Sequence, residues 1–128
     1  LEIEIDGEKI KQKALMIAIC NGRLYGGGIK IAMDASIDDG LMDVLVIEKS
    51  NIFGVISGLI KLIRGKVHTY KKLKKYKAKK VVIKYKKPIY SSYDGEMMES
   101  NKFEFEILEK KVNIYNDRDF IRRFLEFK

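Results

Sequence analysis

Residues 34–47 are Asp-Ala-Ser-Ile-Asp-Asp-Gly-Leu-Met-Asp-Val-Leu-Val-Ile, an acidic turn that leads into an apolar strand. The run from Leu41 to Ile47 has the length and composition of a buried strand. The carboxylates before it could hold Mg²⁺ or Ca²⁺, with backbone carbonyls completing the coordination shell, although the spacing is not that of an EF-hand. A turn in which Asp38 or Asp39 accepts hydrogen bonds from nearby N–H groups explains the same residues. Both interpretations stay open from this stretch alone.

An apolar strand and a glycine-rich loop precede the acidic turn. The run Ala14 to Cys20 is apolar on both faces, which predicts a buried strand. Residues 21–28, Asn-Gly-Arg-Leu-Tyr-Gly-Gly-Gly, follow it, and the three consecutive glycines predict irregular backbone. Such a loop can present N–H groups to an anion, or it can simply be a tight structural turn. It matches neither a P-loop nor a dinucleotide-binding fingerprint.

A helix and a basic run follow the acidic turn. Asn51 to Arg64 carries apolar residues at the spacing of one helical face, which we expect to pack in the core, with Asn51 or Ser50 as the N-cap. Between Lys61 and Lys87 there are 13 Lys or Arg residues and no Asp or Glu. Such a run attracts nucleic acid, an anionic membrane or nucleotide phosphates, unless it is only a solvated face. Beside it, the helix could instead lie on a membrane.

Short strands account for most of the remaining chain. Alternation or apolar runs predict strands at 1–5, 79–85, 89–93, 103–107 and 112–115, and a second amphipathic helix over 117–128. Asp6-Gly7 and Asp94-Gly95 are hairpin turn signals. The pattern predicts a mainly β fold, a two-layer antiparallel β-sandwich with one or two helices. In Tyr93-Asp94-Gly95-Glu96 the two carboxylates could serve as a general base and its neighbour, or the turn could be only a hairpin.

Composition narrows the class of protein. The 128 residues fit one domain, 46% of them are hydrophobic, and 26 basic against 18 acidic residues give a net charge of +8. One Cys and one His argue against a disulfide framework or a zinc site, and no apolar run is long enough to span a membrane. The chain opens in mid-strand, so we expect it to be part of a larger protein from a reduced, intracellular compartment.

The order of these motifs resembles the C-terminal domain of bacterial diacylglycerol kinase-like lipid kinases, a family that includes relatives of sphingosine and ceramide kinases. The resemblance runs from about residue 14 to about residue 114. It rests on Asn21, on Tyr25 with the glycine triplet 26–28, and on residues 35–44 of the acidic turn with their Asp-Asp-Gly-Leu-x-Asp-Val string. It continues with the helix plus Gly65 and His68, and with Tyr93-Asp94-Gly95-Glu96.

The resemblance implies one half of a two-domain kinase. The β-sandwich would close a cleft against an N-terminal domain that binds ATP through a Gly-Gly-Asp-Gly-Thr loop, which these 128 residues lack. We therefore do not expect this chain to phosphorylate anything alone. The domain would help to hold the lipid, transfer the γ-phosphoryl group of ATP to a lipid hydroxyl, with diacylglycerol as the first choice, and work at the cytoplasmic face of the inner membrane.

The resemblance also implies residue roles. Glu96 would be the general base, with Asp94 beside it. Asp39 would bind a structural Mg²⁺ through its side chain, and the backbone carbonyls of Ser36 and Leu41 would join it. The cleft would be lined by Asn21, Gly26, Gly27 and Gly28.

Two other functions remain open at this stage. One is a non-catalytic basic β-domain that binds an anionic membrane or nucleic acid through residues 61–87, although the resemblance makes nucleic acid the less expected partner. The other is a lipid kinase of the same family whose substrate is not diacylglycerol but a sphingoid base, ceramide, phosphatidylglycerol or another lipid. A homodimer also stays open.

Overall fold

A computed structural model describes residues 1–10, 12–26 and 28–108. Within these residues the chain forms nine β-strands and one α-helix. The strands are β1 (Glu2–Ile5), β2 (Glu8–Ile10), β3 (Ala14–Cys20), β4 (Leu24–Tyr25), β5 (Ile29–Lys30), β6 (Met42–Glu48), β7 (Leu73–Ala78), β8 (Lys80–Tyr93) and β9 (Glu96–Glu106). Helix α1 spans Ile52–Ile63, and a 3₁₀ turn follows at Val67–Thr69. The predicted strand at 112–115 and the predicted helix at 117–128 lie outside the described residues.

Two antiparallel sheets form the predicted sandwich. One has the order β2-β1-β8-β9 and the other β3-β6-β7, while β4 and β5 form a separate small hairpin. Alternation in β6 explains the layering, because Met42, Val44 and Val46 face the other sheet and Leu45 faces away. The inner side chains meet Ile3, Ile5, Val81 and Ile83 of the first sheet in the main core.

A small second core lies on the outer face of the three-stranded sheet. Ile31 and Ala32, which precede the acidic turn, and Ala35 within the turn cover Leu45 there. Leu62 of α1 packs against the same cluster. The acidic turn and the helix are therefore both held against one face of one sheet.

Strand β8 is longer than predicted. It joins the two predicted strands at 79–85 and 89–93 into one, with a register shift against β9 between Lys84 and Ile89. Only its first half pairs with β1, so the second half forms a two-stranded ribbon with β9. A local irregularity, rather than a turn, separates the two predicted segments.

Strand β3 is less buried than predicted. It lies at the edge of its sheet, and the side chains of Leu15 and Met16 are exposed rather than buried. Apolar residues on both faces predicted burial on both, but the packing layers cover mainly the second half of the strand, where Ile17 and Ile19 meet the main core and Ala18 and Cys20 meet the Leu45 cluster.

The helix departs furthest from expectation. Asn51 caps it as predicted, because its side chain accepts a hydrogen bond from the N–H of Gly54 at 3.0 Å. The predicted core-facing stripe is exposed, however, and α1 contains no buried residue. The side of the helix that touches the protein carries glycines: the hydroxyl of Tyr70 donates to the carbonyl of Gly54 at 3.0 Å, and a Cβ on Gly58 would lie 3.3 Å from the Tyr70 ring. Close approach on the glycine side turns the large apolar side chains outward.

Candidate active site at the acidic hairpin

The acidic hairpin joins β8 to β9. Tyr93 pairs with Glu96, and Asp94 and Gly95 form the turn with φ values of 47° and 97°. Both angles lie in the left-handed region that two-residue hairpin turns require, and Asp tolerates it better than most residues. The carboxylates of Asp94 and Glu96 are exposed, and neither forms an ion pair or hydrogen bond with the described part of the chain. Glu96 is therefore free to accept a proton from an incoming group.

The ribbon that carries this hairpin bends back over the sandwich. The rings of Tyr93 and Phe105 lie 6.3 Å apart in a stacked arrangement, although Tyr93 is at the tip of the ribbon and Phe105 pairs with Val81 at its base. The register shift after Lys84 allows this bend, because unpaired residues change the direction of a strand. The hairpin tip consequently lies against the body of the domain.

Tyr25 connects the glycine-rich loop to the hairpin. Its hydroxyl lies 3.4 Å from Oγ of Ser92, two residues before Asp94. Tyr25 directly precedes the glycine triplet, so this contact brings the triplet close to the carboxylates at 94 and 96. Nothing in the sequence between positions 25 and 92 indicated this contact.

The glycine-rich loop is more regular than predicted. Leu24–Tyr25 pairs with Ile29–Lys30 as a short hairpin, and the N–H of Gly28 donates to the carbonyl of Gly26 at 2.9 Å. Gly26 and Gly28 have positive φ values of 53° and 108°, which explains why glycine occupies both positions. Asn21 is exposed at the bend after β3, and Gly27 lies outside the described residues.

Arg23 connects the same loop to the acidic turn. Its Nε donates to the carbonyl of Ala35 at 3.0 Å, and its own carbonyl accepts from the N–H of Ala32 at 3.2 Å. Arg23 and Tyr25 thus tie the glycine-rich loop to the other two motifs, one to each. Both residues belong to the loop that the sequence singled out, and Tyr25 is part of the string that carries the family resemblance, but the sequence did not indicate which partners they would bond.

Polar groups inside the acidic turn form hydrogen bonds with one another. Oγ of Ser36 donates to Asp38 at 2.5 Å, and the N–H of Leu41 donates to Oδ1 of Asp39 at 3.0 Å. Gly40 has a φ of 69°, which the tight turn requires. These bonds match the turn interpretation, in which local donors use part of the acceptor capacity of Asp38 and Asp39.

Two lysines of β7 face this turn. Nζ of Lys75 lies 2.6 Å from Oδ2 of Asp34, and Nζ of Lys77 lies 2.5 Å from Oδ2 of Asp39. These hydrogen-bonded ammonium groups hold the pKa of both carboxyls below the usual value, while the partnership raises the pKa of Lys77. Asp34 and Asp39 therefore lose their charge at a lower pH than unpaired aspartates would.

Asp43 is the one buried acidic residue of the described chain, with 7% of its surface exposed. Its Oδ2 has no hydrogen-bond partner and lies 3.7 Å from Nζ of Lys77. It also helps to raise the pKa of the neighbouring Cys20 thiol, although burial contributes more to that shift. The ammonium group of Lys77 consequently lies within 4 Å of two carboxylates, those of Asp39 and Asp43.

The acidic turn offers oxygen donors to Mg²⁺ but no dense cluster of carboxylates. Among residues 1–10, 12–26 and 28–108, no three His, Cys, Asp or Glu side chains are grouped to hold a metal ion. A metal here would depend on Asp39, on carbonyls such as those of Ser36 and Leu41, and on the unsatisfied Oδ2 of Asp43. All of these are hard oxygen donors of the kind that Mg²⁺ prefers, so the chemistry of the donor set fits. Lys77 would have to give up Asp39 for the ion to bind.

Part of the basic run is neutralised by carboxylates. Lys75, Lys77 and Lys80 are engaged with carboxylates, the last through Glu104 and Glu106. This pairing weakens the argument for a broad nucleic-acid-binding face. Unpaired cations remain near the end of α1, where Arg64 and Lys66 have no carboxylate partner within the described ranges.

Comparison with known proteins identifies the family. The sequence model of one protein family, the YegS C-terminal NAD kinase beta sandwich-like domain, matches residues 1–116. The chain belongs to this family. The match confirms the resemblance inferred from the motifs and the predicted sandwich.

Relatives of the domain are named as lipid kinases. A probable lipid kinase YegS-like protein of Shewanella frigidimarina (strain NCIMB 400) is 32% identical over 95 residues, 74% of this chain and 30% of that protein. A diacylglycerol kinase of Bacillus subtilis (strain 168) is 26% identical over 96 residues, 75% of this chain and 32% of that protein. The chain thus spans about a third of the length of these two relatives.

A solved structure supports the fold of this YegS-type domain. A crystal structure from Bacillus anthracis str. Sterne superposes with a TM-score of 0.69 and 23% identity, covering 84% of this chain and 35% of the other. At this level of identity the likeness extends to the fold. None of the described helices of the domain is long and apolar enough to cross a membrane.

Proposed function

We propose that this YegS-type domain is the C-terminal part of an ATP-dependent lipid kinase that phosphorylates a lipid hydroxyl, with diacylglycerol as the first candidate substrate. The names of the relatives support the class of reaction. The observation that carries the proposal is the contact between Tyr25 and Ser92, because it brings the glycine-rich loop beside a hairpin whose Glu96 carboxylate is unengaged within the described chain. An N-terminal ATP-binding domain completes the enzyme.

Glu96 is the general base in this mechanism. Its carboxylate takes the proton from the lipid hydroxyl as the hydroxyl oxygen attacks the γ-phosphorus of ATP. The bond from the γ-phosphorus to the β,γ-bridging oxygen breaks, and ADP leaves with that oxygen. Asp94 lies two residues away and helps to orient the hydroxyl. Phosphoryl transfer depends mainly on positioning and charge stabilisation, so one well-placed carboxylate on the hairpin is sufficient to orient the lipid hydroxyl and remove its proton.

The glycine-rich loop faces the nucleotide side of the cleft. Asn21 and the glycines at 26, 27 and 28 would line it, and because glycine has no Cβ, the backbone here can approach phosphate oxygens closely. Arg23 holds the loop to the acidic turn and Tyr25 holds it to the hairpin, so both are positioning residues. Their hydrogen bonds fix the position of the loop that faces the ATP phosphates relative to the hairpin that faces the lipid hydroxyl.

Asp39, with the carbonyls of Ser36 and Leu41, would hold Mg²⁺ at the acidic turn. When bound, the ion supplies positive charge that stiffens the turn and stabilises its carboxylates. Asp43 lies behind the turn and adds a second negative charge. The enzyme works as a peripheral protein at the cytoplasmic face of the membrane.

Glu96→Gln tests the assigned base in the two-domain kinase that contains this chain, assayed with labelled ATP and a panel of lipids. We expect the phosphorylation rate to fall roughly 10²–10⁴-fold with the lipid preference unchanged. Glu99→Gln is the matched control, because Glu99 is an exposed carboxylate on the same strand, three residues further. Retention of full activity in Glu96→Gln would show that Glu96 is not the base.

A further inference from the structure

Helix α1 presents its apolar side to solvent. Phe53 and Ile63 have 77% and 76% of their surface exposed. Four further apolar residues of the helix are also exposed: Ile52, Ile56, Leu59 and Ile60. At 100° per residue these six positions fall on one side of the helix, an arc of roughly 120°. A continuous apolar stripe of this size is unusual on a soluble surface and indicates a binding partner.

The local packing fixes this orientation. Tyr70 binds the carbonyl of Gly54 and lies against Gly58, while Leu62 packs on the second core. Rotating the stripe inward would move a large side chain to the glycine side, where even a Cβ at position 58 meets the Tyr70 ring at 3.3 Å. The exposed stripe is therefore built into the domain.

Cations border the stripe. A groove of about 380 Å³ lies between the helix and the 3₁₀ turn, and Phe53 and Ile60 line it together with Arg64 and Lys66. Neither cation has a carboxylate partner within residues 1–10, 12–26 and 28–108. No Asp or Glu occurs between residues 49 and 93 in the sequence, so the helix, the 3₁₀ turn and the strand after them contribute no carboxylate to this side of the domain.

From this arrangement we infer that α1 is a membrane-docking helix for an anionic lipid bilayer. The stripe enters the boundary between head groups and acyl chains, and Arg64 and Lys66 contact lipid phosphates. An interfacial helix combines these features, an apolar face beside Lys and Arg. The inference deepens the proposed function, on which it rests for the need to reach a lipid in a membrane.

Charge complementarity favours a bilayer over a second copy of the chain. A second copy that met this one through α1 would cover the stripe but would offer Arg64 and Lys66 no carboxylate from its own helix, since residues 49–93 contain no Asp or Glu. Nucleic acid would satisfy these cations but would leave the apolar stripe in water. An anionic bilayer satisfies both, and each basic residue near its surface adds to binding.

Tryptophan fluorescence can report insertion directly, because the chain contains no Trp. The 128-residue variant Phe53→Trp is mixed with vesicles of phosphatidylcholine, or of equal parts phosphatidylcholine and phosphatidylglycerol. We expect a blue shift only with the anionic vesicles, and quenching by lipids brominated on their acyl chains. Leu15→Trp is the matched control, since Leu15 is an exposed apolar residue on β3, and it should show neither effect.

Two further variants separate the apolar and ionic contributions. Phe53→Ser with Ile60→Ser should lower the partition coefficient onto anionic vesicles roughly tenfold or more, whereas Leu15→Ser with Met16→Ser should change it less than about twofold. Arg64→Gln with Lys66→Gln should lower it by roughly tenfold or more at low salt and by less at high salt.

The same measurements can overturn the inference. An unshifted spectrum of the Phe53→Trp variant with anionic vesicles would refute it. A spectrum already blue-shifted without vesicles would show that another part of the protein, or a second copy, covers α1. The Glu96→Gln variant separates this inference from the proposed reaction, because it should bind vesicles normally but fail to phosphorylate lipid. Conversely, a two-domain kinase that still phosphorylates lipid in vesicles after Phe53→Ser with Ile60→Ser would contradict membrane docking by α1 and leave the proposed reaction intact.

Discussion

The ammonium group of Lys77 lies 2.5 Å from Oδ2 of Asp39, the carboxylate that we propose as a Mg²⁺ ligand. The same nitrogen lies 3.7 Å from the unsatisfied Oδ2 of Asp43. Lys77 therefore occupies the position from which a cation would neutralise both carboxylates. A lysine and a divalent ion compete for such a position, since each must displace the other from Asp39.

Lys77→Met should strengthen binding of Mg²⁺ to the acidic turn. The substitution frees Asp39 and removes the only ammonium near Asp43 in the described chain, so a cation meets two unpaired carboxylates. Titration calorimetry of the 128-residue chain with MgCl₂ measures the change, and we expect severalfold tighter binding. Lys74→Met is the control, because Lys74 lies on the same strand and has no carboxylate partner in that part of the chain. Equal affinities in the two variants would refute competition.

Tyr25→Phe should loosen the acidic hairpin without unfolding the domain. The variant loses the hydroxyl that contacts Ser92, an exposed hydrogen bond, so the free energy of unfolding should change by less than about 1 kcal/mol. Amide hydrogen exchange over residues 91–98 should nevertheless become faster. Tyr90→Phe removes a hydroxyl that bonds to nothing in the described chain and should leave exchange unchanged. The link between loop and hairpin would be dispensable if both variants behaved alike.

The sequence predicted best what neighbouring residues determine. The alternation of Ile3 and Ile5 with glutamates predicted β1 and its buried face, and Asp94-Gly95 predicted the hairpin turn. Asn51 predicted the start of α1. Each of these features depends on dihedral preferences or side-chain spacing within a few residues.

The contacts that assemble the candidate site could not be predicted from the sequence. Tyr25 and Ser92 are 67 residues apart, and the bond depends on how far the ribbon bends at its register shift. Lys75 and Lys77 belong to a basic run, and only the pairing of β6 with β7 places them opposite acidic partners. Helical periodicity located the apolar stripe of α1, but the direction it faces depends on Tyr70 and the glycines.

Acid should destabilise the four-stranded sheet through Glu104. Hydrogen bonds from Lys80 and Lys102 lower the pKa of this carboxyl from 4.5 to about 2. A lowered pKa in the folded state means that the stabilisation is fully present above pH 4.5 and disappears as the pH falls towards 2. Thermal unfolding across this range should show a smaller loss of stability in Glu104→Gln than in the parent chain. Glu99→Gln, which breaks no ion pair within the described residues, should follow the parent.

Asn51→Ala should destabilise α1 by about 1 kcal/mol, because the N–H of Gly54 loses its side-chain acceptor. The helix has little tertiary packing to compensate for the loss, since none of its residues is buried. Circular dichroism during urea unfolding measures the change. Ser57→Ala is the control within the same helix, and it should be neutral or slightly stabilising because Ala favours helix more than Ser. A neutral Asn51→Ala would show that the cap does not hold the helix start.

Ile3→Ala should be the most destabilising of these substitutions, by about 2–5 kcal/mol, because Ile3 is fully buried between the two sheets. Its side chain meets residues of both layers, so a cavity there weakens the sandwich itself. Ile3→Val should cost only about 0.5–1.5 kcal/mol, since it removes a single methylene. Ile37→Ala is the exposed control, with 67% of Ile37 accessible to solvent, and should lie within about 0.5 kcal/mol of the parent chain. Comparable losses at positions 3 and 37 in urea unfolding would contradict the location of the main core.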